Sequence, residues 1–289
     1  MRSLIAKIKS YRQAKKFLPP LRCLLSNGIY YYRHDTISKI FLKNFYKIFL
    51  LPSLFIVKTK KKYAKLEYGK VCFGTQKICL INNGYVYSAF KHPNFYTRMK
   101  NNANATLKDF NYPCSKLNEF NDEFKIYKTQ EIQGRHVKTD DDMNLIVGQL
   151  LDLSLNSTCK KVENGILYVL QHGDPNPSNI FINDKKITFI DIGAIKLRTA
   201  LFDFFYFLIF TNNFKSLSIF TKKYYKKIEE IFHKNNIKYV ENTIDEYLYY
   251  FTEFFLNLPT GKVDFLTKMF NDNECTKYPK TYELLREGL

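Results

Sequence analysis

Residues 172–179 read His-Gly-Asp-Pro-Asn-Pro-Ser-Asn, which sets a carboxylate, Asp174, and an amide, Asn179, on one turn stiffened by Pro175 and Pro177. A short apolar stretch and the turn pair Asn183-Asp184 follow, and a second apolar stretch ends in Ile190-Asp191-Ile192-Gly193. The second stretch reads as a buried strand that delivers Asp191 at its end. Two carboxylates and one amide oxygen make a hard oxygen set of the kind that holds Mg2+. Such a cation binds phosphate oxygens and offsets their charge. Each segment alone has a plainer reading, since Asp-Pro is commonly a turn and Ile-Asp-x-Gly commonly the end of a strand. It is their occurrence together, at this spacing, that points to chemistry.

The elements that must position these residues are legible on both sides. From Lys70 the pattern predicts short strands at 71–73 and 78–81, separated by Gly74-Thr75-Gln76. Asn83-Gly84 is a hairpin signal, with a third strand at 85–91. A polar helix is expected over 95–108, then a hairpin around Asn121-Asp122 with its second strand at 124–132, and Gln133-Gly134 closes the sheet. Thr139 followed by Asp140, Asp141 and Asp142 opens a helix, because carboxylates favour the positive end of its dipole; residues 143–155 are its apolar body. Strands at 179–182 and 186–190 flank Asn183-Asp184, and beyond Arg198 the chain reads as nearly all helical. The fold class is therefore α+β, a small antiparallel sheet followed by a mainly helical half.

In motif and order the chain resembles the protein-kinase-like small-molecule phosphotransferases, the group of aminoglycoside and choline phosphotransferases and lipopolysaccharide core sugar kinases. The resemblance is carried by His172-Gly-Asp174, Asn179, the hairpin and Ile190-Asp191-Ile-Gly193. It implies a bilobal protein-kinase-like fold. It also implies Asp174 as the catalytic base toward the acceptor hydroxyl, with Asn179 and Asp191 holding Mg2+ on the phosphates of ATP or another nucleoside triphosphate. His172 would brace the loop, and Asp203 stands where the family has a structural Asp that ties this loop down. Ala89-Phe90-Lys91 matches the Ala-x-Lys whose lysine grips the α and β phosphates, and strand alternation puts Ala89 and Lys91 on one face. Gly74 falls in the loop that would cover the nucleotide. Two features depart from the pattern. Gly74-Thr-Gln-Lys holds a single glycine, and residues 95–108 contain no Glu to pair with Lys91. They keep open an alternative: a pseudokinase, or nucleotide-binding interaction protein, without transfer activity.

Domain organisation follows the same order. Residues 1–65 are expected to be a basic, largely helical extension, 66–134 a small β-rich nucleotide-binding lobe, and 135–289 a helical catalytic and acceptor-binding lobe. In the extension Ile37, Ile40, Phe41, Phe45, Ile48 and Phe49 recur at helical spacing, opposite a row of Lys39, Lys43 and Lys47, until Pro52. Such a helix can lie on an anionic membrane or simply pack on the main domain with its lysines in water. The lysines and Pro52 argue against a spanning segment.

The net charge of +18 allows nucleic acid, an anionic surface or a phosphorylated substrate as partner, although an A/T-rich coding sequence would produce the same excess. Nucleic acid is disfavoured, because the aromatics fall at helical, core-like spacing and not on a basic strand surface. None of the six cysteines forms a Cys-x-x-Cys pair, which suggests a reducing compartment, and no apolar stretch follows the N-terminal charges; a cytoplasmic protein is expected, in possible peripheral contact with the inner membrane face. A polycationic acceptor would want an acidic pocket, yet residues 222–227 are Lys-Lys-Tyr-Tyr-Lys-Lys. The favoured acceptor is accordingly a sugar of a cell-surface glycan or lipopolysaccharide, carried on a lipid or already phosphorylated, met at a membrane surface.

Overall fold

The computed structural model describes residues 28–32, 54–57, 67–73, 77–82, 84–90, 93–106, 113–115, 117–122, 125–211, 217–240, 242–257 and 277–288. They fall into two compact units, one of Met1–Lys100 and Ser115–Ile132, the other of Asn101–Cys114 and Gln133–Leu289.

The first unit is built on a seven-stranded sheet. In chain order the strands are β1 (Gly28–Tyr32), β2 (Leu54–Val57), β3 (Glu67–Phe73), β4 (Lys77–Asn82), β5 (Tyr85–Phe90), β6 (Leu117–Asn121) and β7 (Ile126–Gln130). The spatial order is β2-β1-β3-β4-β5-β7-β6. The hairpins expected from Asn83-Gly84 and Asn121-Asp122 are present as β4–β5 and β6–β7. The described parts of the extension differ from expectation. Gly-Ile-Tyr-Tyr-Tyr and Leu-Phe-Ile-Val are strands, not helix, and the sheet is not wholly antiparallel, since β1 runs parallel to β3. Both stretches are rich in β-branched and aromatic residues, but runs this short cannot be told from helix by periodicity. The lysine-striped segment at 37–49 lies outside the described residues.

Helix α1 (Pro93–Thr106) begins in this unit. Tyr96 is buried against Phe90 and Phe120, and its hydroxyl donates to Asp122 Oδ1 at 2.9 Å. Lys100 donates to both Asp122 oxygens, at 2.8 and 2.6 Å. One carboxylate in the β6–β7 turn thus pins two successive turns of α1.

The second unit opens with α2 (Asp140–Leu155), capped as its sequence predicts. The Thr139 side chain accepts from Asp142 N, while the Asp142 carboxylate accepts from the backbone of Thr139 and Lys138. Arg135 forks onto the same carboxylate and holds it well below the usual carboxylate range. The apolar face of α2, with Ile146, Val147, Leu150 and Leu151, is buried.

Next come β8 (Lys160–Glu163), β9 (Ile166–Gln171), β10 (Ile180–Asn183), β11 (Lys186–Phe189) and β12 (Lys196–Thr199). β10 and β11 form the expected hairpin, and β12-β9-β8 make a further small sheet that sequence reasoning did not anticipate. Helices α3 (Phe202–Phe210), α4 (Leu217–Lys223), α5 (Tyr225–His233), α6 (Thr243–Leu256) and α7 (Pro279–Gly288) complete the unit. α3 is buried almost throughout, among Phe251 and Phe255 of α6. Asp245 of α6 accepts from the backbone of Lys280 and Thr281, which satisfies the first turn of α7.

Candidate active site

Among the described residues the chemical groups of this site lie in the second unit, on the loop between β9 and β10, at the end of β11 and on α3. The loop's entry is built from buried polar groups. Gln171 at the end of β9 accepts from Asp203 N through Oε1 at 3.0 Å, and its Nε2 donates to Ser154 Oγ at 2.8 Å and to the Ala200 carbonyl at 3.1 Å. Asp203, fully buried at the start of α3, accepts from His172 N at 2.7 Å and from Gly173 N at 2.8 Å. Both oxygens of one carboxylate therefore hold two consecutive peptides, the tie that the motif predicts. Gly173 has φ +81°, and a Cβ there would stand 2.6 Å from the Ala194 carbonyl oxygen, so only glycine fits. His172 is buried, and its Nε2 lies 2.9 Å from the Ile190 carbonyl, so Nε2 carries the proton and donates. Nδ1 is buried with no partner. His172, fully buried, braces the β11 end against the loop.

Asp174 is half-buried and its carboxylate is fully oriented. Oδ1 accepts from Asn176 Nδ2 at 2.9 Å and from the Tyr206 hydroxyl at 2.5 Å; Oδ2 accepts from Asn179 Nδ2 at 3.1 Å. Asn176 in turn caps the short helical turn Pro177–Asn179, accepting from Ser178 N at 3.0 Å. Asn179 also donates to the Asp174 carbonyl at 3.0 Å, so its NH2 is committed and its Oδ1 remains an acceptor.

The Asn179 carbonyl accepts from Ile190 N at 2.9 Å, continuing the β10–β11 ladder by one step and bringing Asp191 beside the Asn179 backbone. Asp191 has φ 64° and ψ 55°, a left-handed conformation that costs of order 1–3 kcal/mol and collects at functional sites.

The structure thus joins Asp174 to Asn179 by hydrogen bonds and sets Asp191 one residue beyond the backbone pair of Asn179 and Ile190. Lys91 and Gly74 lie outside the described residues. Sequence reasoning missed Asn176 and Tyr206; the one available signal for Tyr206 was its place three residues after Asp203, on the same helix face. Burial pushes the Tyr206 phenol well above its ordinary range, and the Asp174 charge adds to the shift.

Among the described residues no group of three or more His, Cys, Asp or Glu gathers as a self-sufficient metal site. Mg2+ takes one or two protein oxygens and completes its shell from phosphate and water; Asn179 Oδ1 and the Asp191 carboxylate are donors of the right chemistry for it.

No protein-family profile matches the sequence, and no curated protein matches it. Solved structures do. A choline kinase from Streptococcus pneumoniae is similar at 12% identity and a TM-score of 0.46, over 75% of this chain and 90% of that one. A putative aminoglycoside phosphotransferase from Ralstonia eutropha is similar at 12% identity and a TM-score of 0.42, over 79% and 93%. A macrolide 2'-phosphotransferase from Brachybacterium faecium is similar at 10% identity and a TM-score of 0.38, over 75% and 89%. All three carry the names of small-molecule kinases or phosphotransferases. Likeness at this level says nothing of the acceptor.

Proposed function

We propose that the chain is a phosphotransferase that moves the γ-phosphate of a nucleoside triphosphate to a hydroxyl of a small acceptor. One observation carries the reading: the Asp174 carboxylate is oriented by Tyr206, Asn176 and Asn179, on a loop whose Asn179 backbone pairs with the residue before Asp191. In this reading Asp174 accepts the proton of the acceptor hydroxyl as that oxygen attacks the γ-phosphorus, and the nucleoside diphosphate leaves. Asn179 and Asp191 hold Mg2+, which when bound offsets the phosphate charge. Asp203, Gln171 and His172 keep the loop rigid, so the base meets the acceptor without reorganising. Residues 66–134 are assigned to nucleotide binding, with Lys91 and Gly74 on the phosphates, and 135–289 to catalysis and acceptor binding.

The acceptor we favour is a sugar of a cell-surface glycan or lipopolysaccharide, lipid-linked or already phosphorylated, met at the inner face of a membrane. The lysine-rich second half and the lysine stripe at 37–50 support an anionic acceptor or surface. Among the described residues no helix is long and apolar enough to cross a membrane. The alternative, a nucleotide-binding interaction protein without transfer, is favoured by one observation: α1 contains no acidic residue to pair with a phosphate-gripping lysine, and its own Lys100 is engaged by Asp122.

Turnover by the wild type separates the two readings, and Asp174→Asn tests the base. The variant should leave Mg2+-dependent nucleotide affinity within about twofold and lower turnover by at least about a hundredfold, as loss of a base does. Normal turnover in that variant would remove Asp174 from the role of base.

A further inference from the structure

We propose that Tyr206 is a positioning residue that decides which oxygen of Asp174 takes the acceptor's proton, an inference that rests on the phosphotransfer reading. Tyr206 lies on α3, and its hydroxyl donates to Asp174 Oδ1 at 2.5 Å. Asn176 Nδ2 donates to the same oxygen at 2.9 Å, so both lone pairs of Oδ1 are occupied. Oδ2 receives one donor, Asn179 Nδ2 at 3.1 Å, and keeps a lone pair. The acceptor's O–H bond therefore breaks toward Oδ2. Its oxygen forms the new bond to the γ-phosphorus, and the bond from phosphorus to the bridging oxygen breaks, with its electron pair leaving on the nucleoside diphosphate. The proton passes from Oδ2 to water afterwards. Tyr206 takes part in none of these bonds; it sets the carboxylate's rotation.

The ring is built to do this. It is 6% exposed, nearly parallel to Phe210 at 4.2 Å, and packed by Phe202 and Phe255 at 6.1 and 6.0 Å. Because α3 also carries Asp203, a single helix ties both the loop backbone and the base. A buried tyrosine with a purely structural role behaves differently here: the Tyr247 hydroxyl accepts from Leu167 N and touches no acidic side chain of the site.

Tyr206→Phe removes the hydroxyl and keeps the ring among its aromatic neighbours. Hydrolysis of Mg2+-ATP, with water as acceptor, gives the first readout. The kcat should fall about ten- to a hundredfold, the effect of losing a hydrogen bond to a charged group, with the KM for ATP unchanged. A kcat within about twofold of wild type overturns the proposal. The second readout needs no turnover. The Tyr206 hydroxyl proton should give a low-field NMR signal, slow to exchange, that vanishes in Tyr206→Phe and moves in Asp174→Asn. A signal indifferent to Asp174→Asn overturns the proposal by itself. A signal that responds as expected, in a wild-type protein that turns over no ATP, would sink the phosphotransfer reading and the positioning role with it, leaving only the hydrogen bond.

Discussion

Asp203 is the residue on which the loop's conformation depends. It is fully buried, and its two oxygens satisfy the His172 and Gly173 amides, at a turn where a side chain on Gly173 would collide with the Ala194 carbonyl. Asp203→Ala would orphan two buried N–H groups, at about 1–3 kcal/mol each, and release the turn that carries Asp174. We expect a lower melting temperature together with a loss of turnover; an unchanged melting temperature would mean that the tie is dispensable. Asp203 was legible only through the family resemblance, which places a structural Asp in the Asp-Phe-Phe segment, and the pairing of Asp174 with Asn179 through the spacing of the turn. The bond from Tyr206 to Asp174 was not, because it joins residues 32 positions apart through the packing of α3 and leaves no local pattern.

Helix α2 shows how far an element can be read before it is seen. Thr139 and the three aspartates after it predict the cap, and Thr139 does cap the helix with Asp142 closing the box, but the fork from Arg135 onto the Asp142 carboxylate has no sequence signature. That contact makes a pH prediction. The Arg135 hydrogen bond, more than the backbone donors of Lys138 and Thr139, holds the folded-state pKa of Asp142 below its unfolded value near 4. The stabilisation is therefore complete above about pH 4 and is lost as pH falls below it. Asp142→Asn should be less stable at neutral pH and show a flatter decline in acid, measured by denaturant titration; equal slopes in both proteins would contradict the assignment. The β12-β9-β8 sheet was missed for a different reason. Asn164-Gly165 is as good a hairpin signal as Asn83-Gly84, but β8 is Lys-Lys-Val-Glu, exposed throughout, and shows no alternation to read. β1 and β2 were missed because four or five apolar residues do not declare a period.

For the molecule as a whole, the excess of basic residues, +18 in 289, matters for where the protein works more than for how it folds. If the lysine stripe holds it at an anionic surface, the full chain should sediment with phosphatidylserine-containing vesicles more than with neutral ones. Replacing Lys39, Lys43 and Lys47 with Glu should then reduce that preference, as should raising the salt. Equal and negligible sedimentation with both vesicle types would remove the membrane contact. The claim that most needs testing lies elsewhere, in the pairing of Asn179 with Asp191 as the hold on a metal-bound nucleotide. The most direct measurement is the melting temperature of wild type and Asp191→Ala with ATP, in the presence and absence of Mg2+. The kinase-like reading predicts a rise with ATP that requires Mg2+ and disappears in the variant. A rise of the same size in Asp191→Ala, or one indifferent to Mg2+, would contradict it.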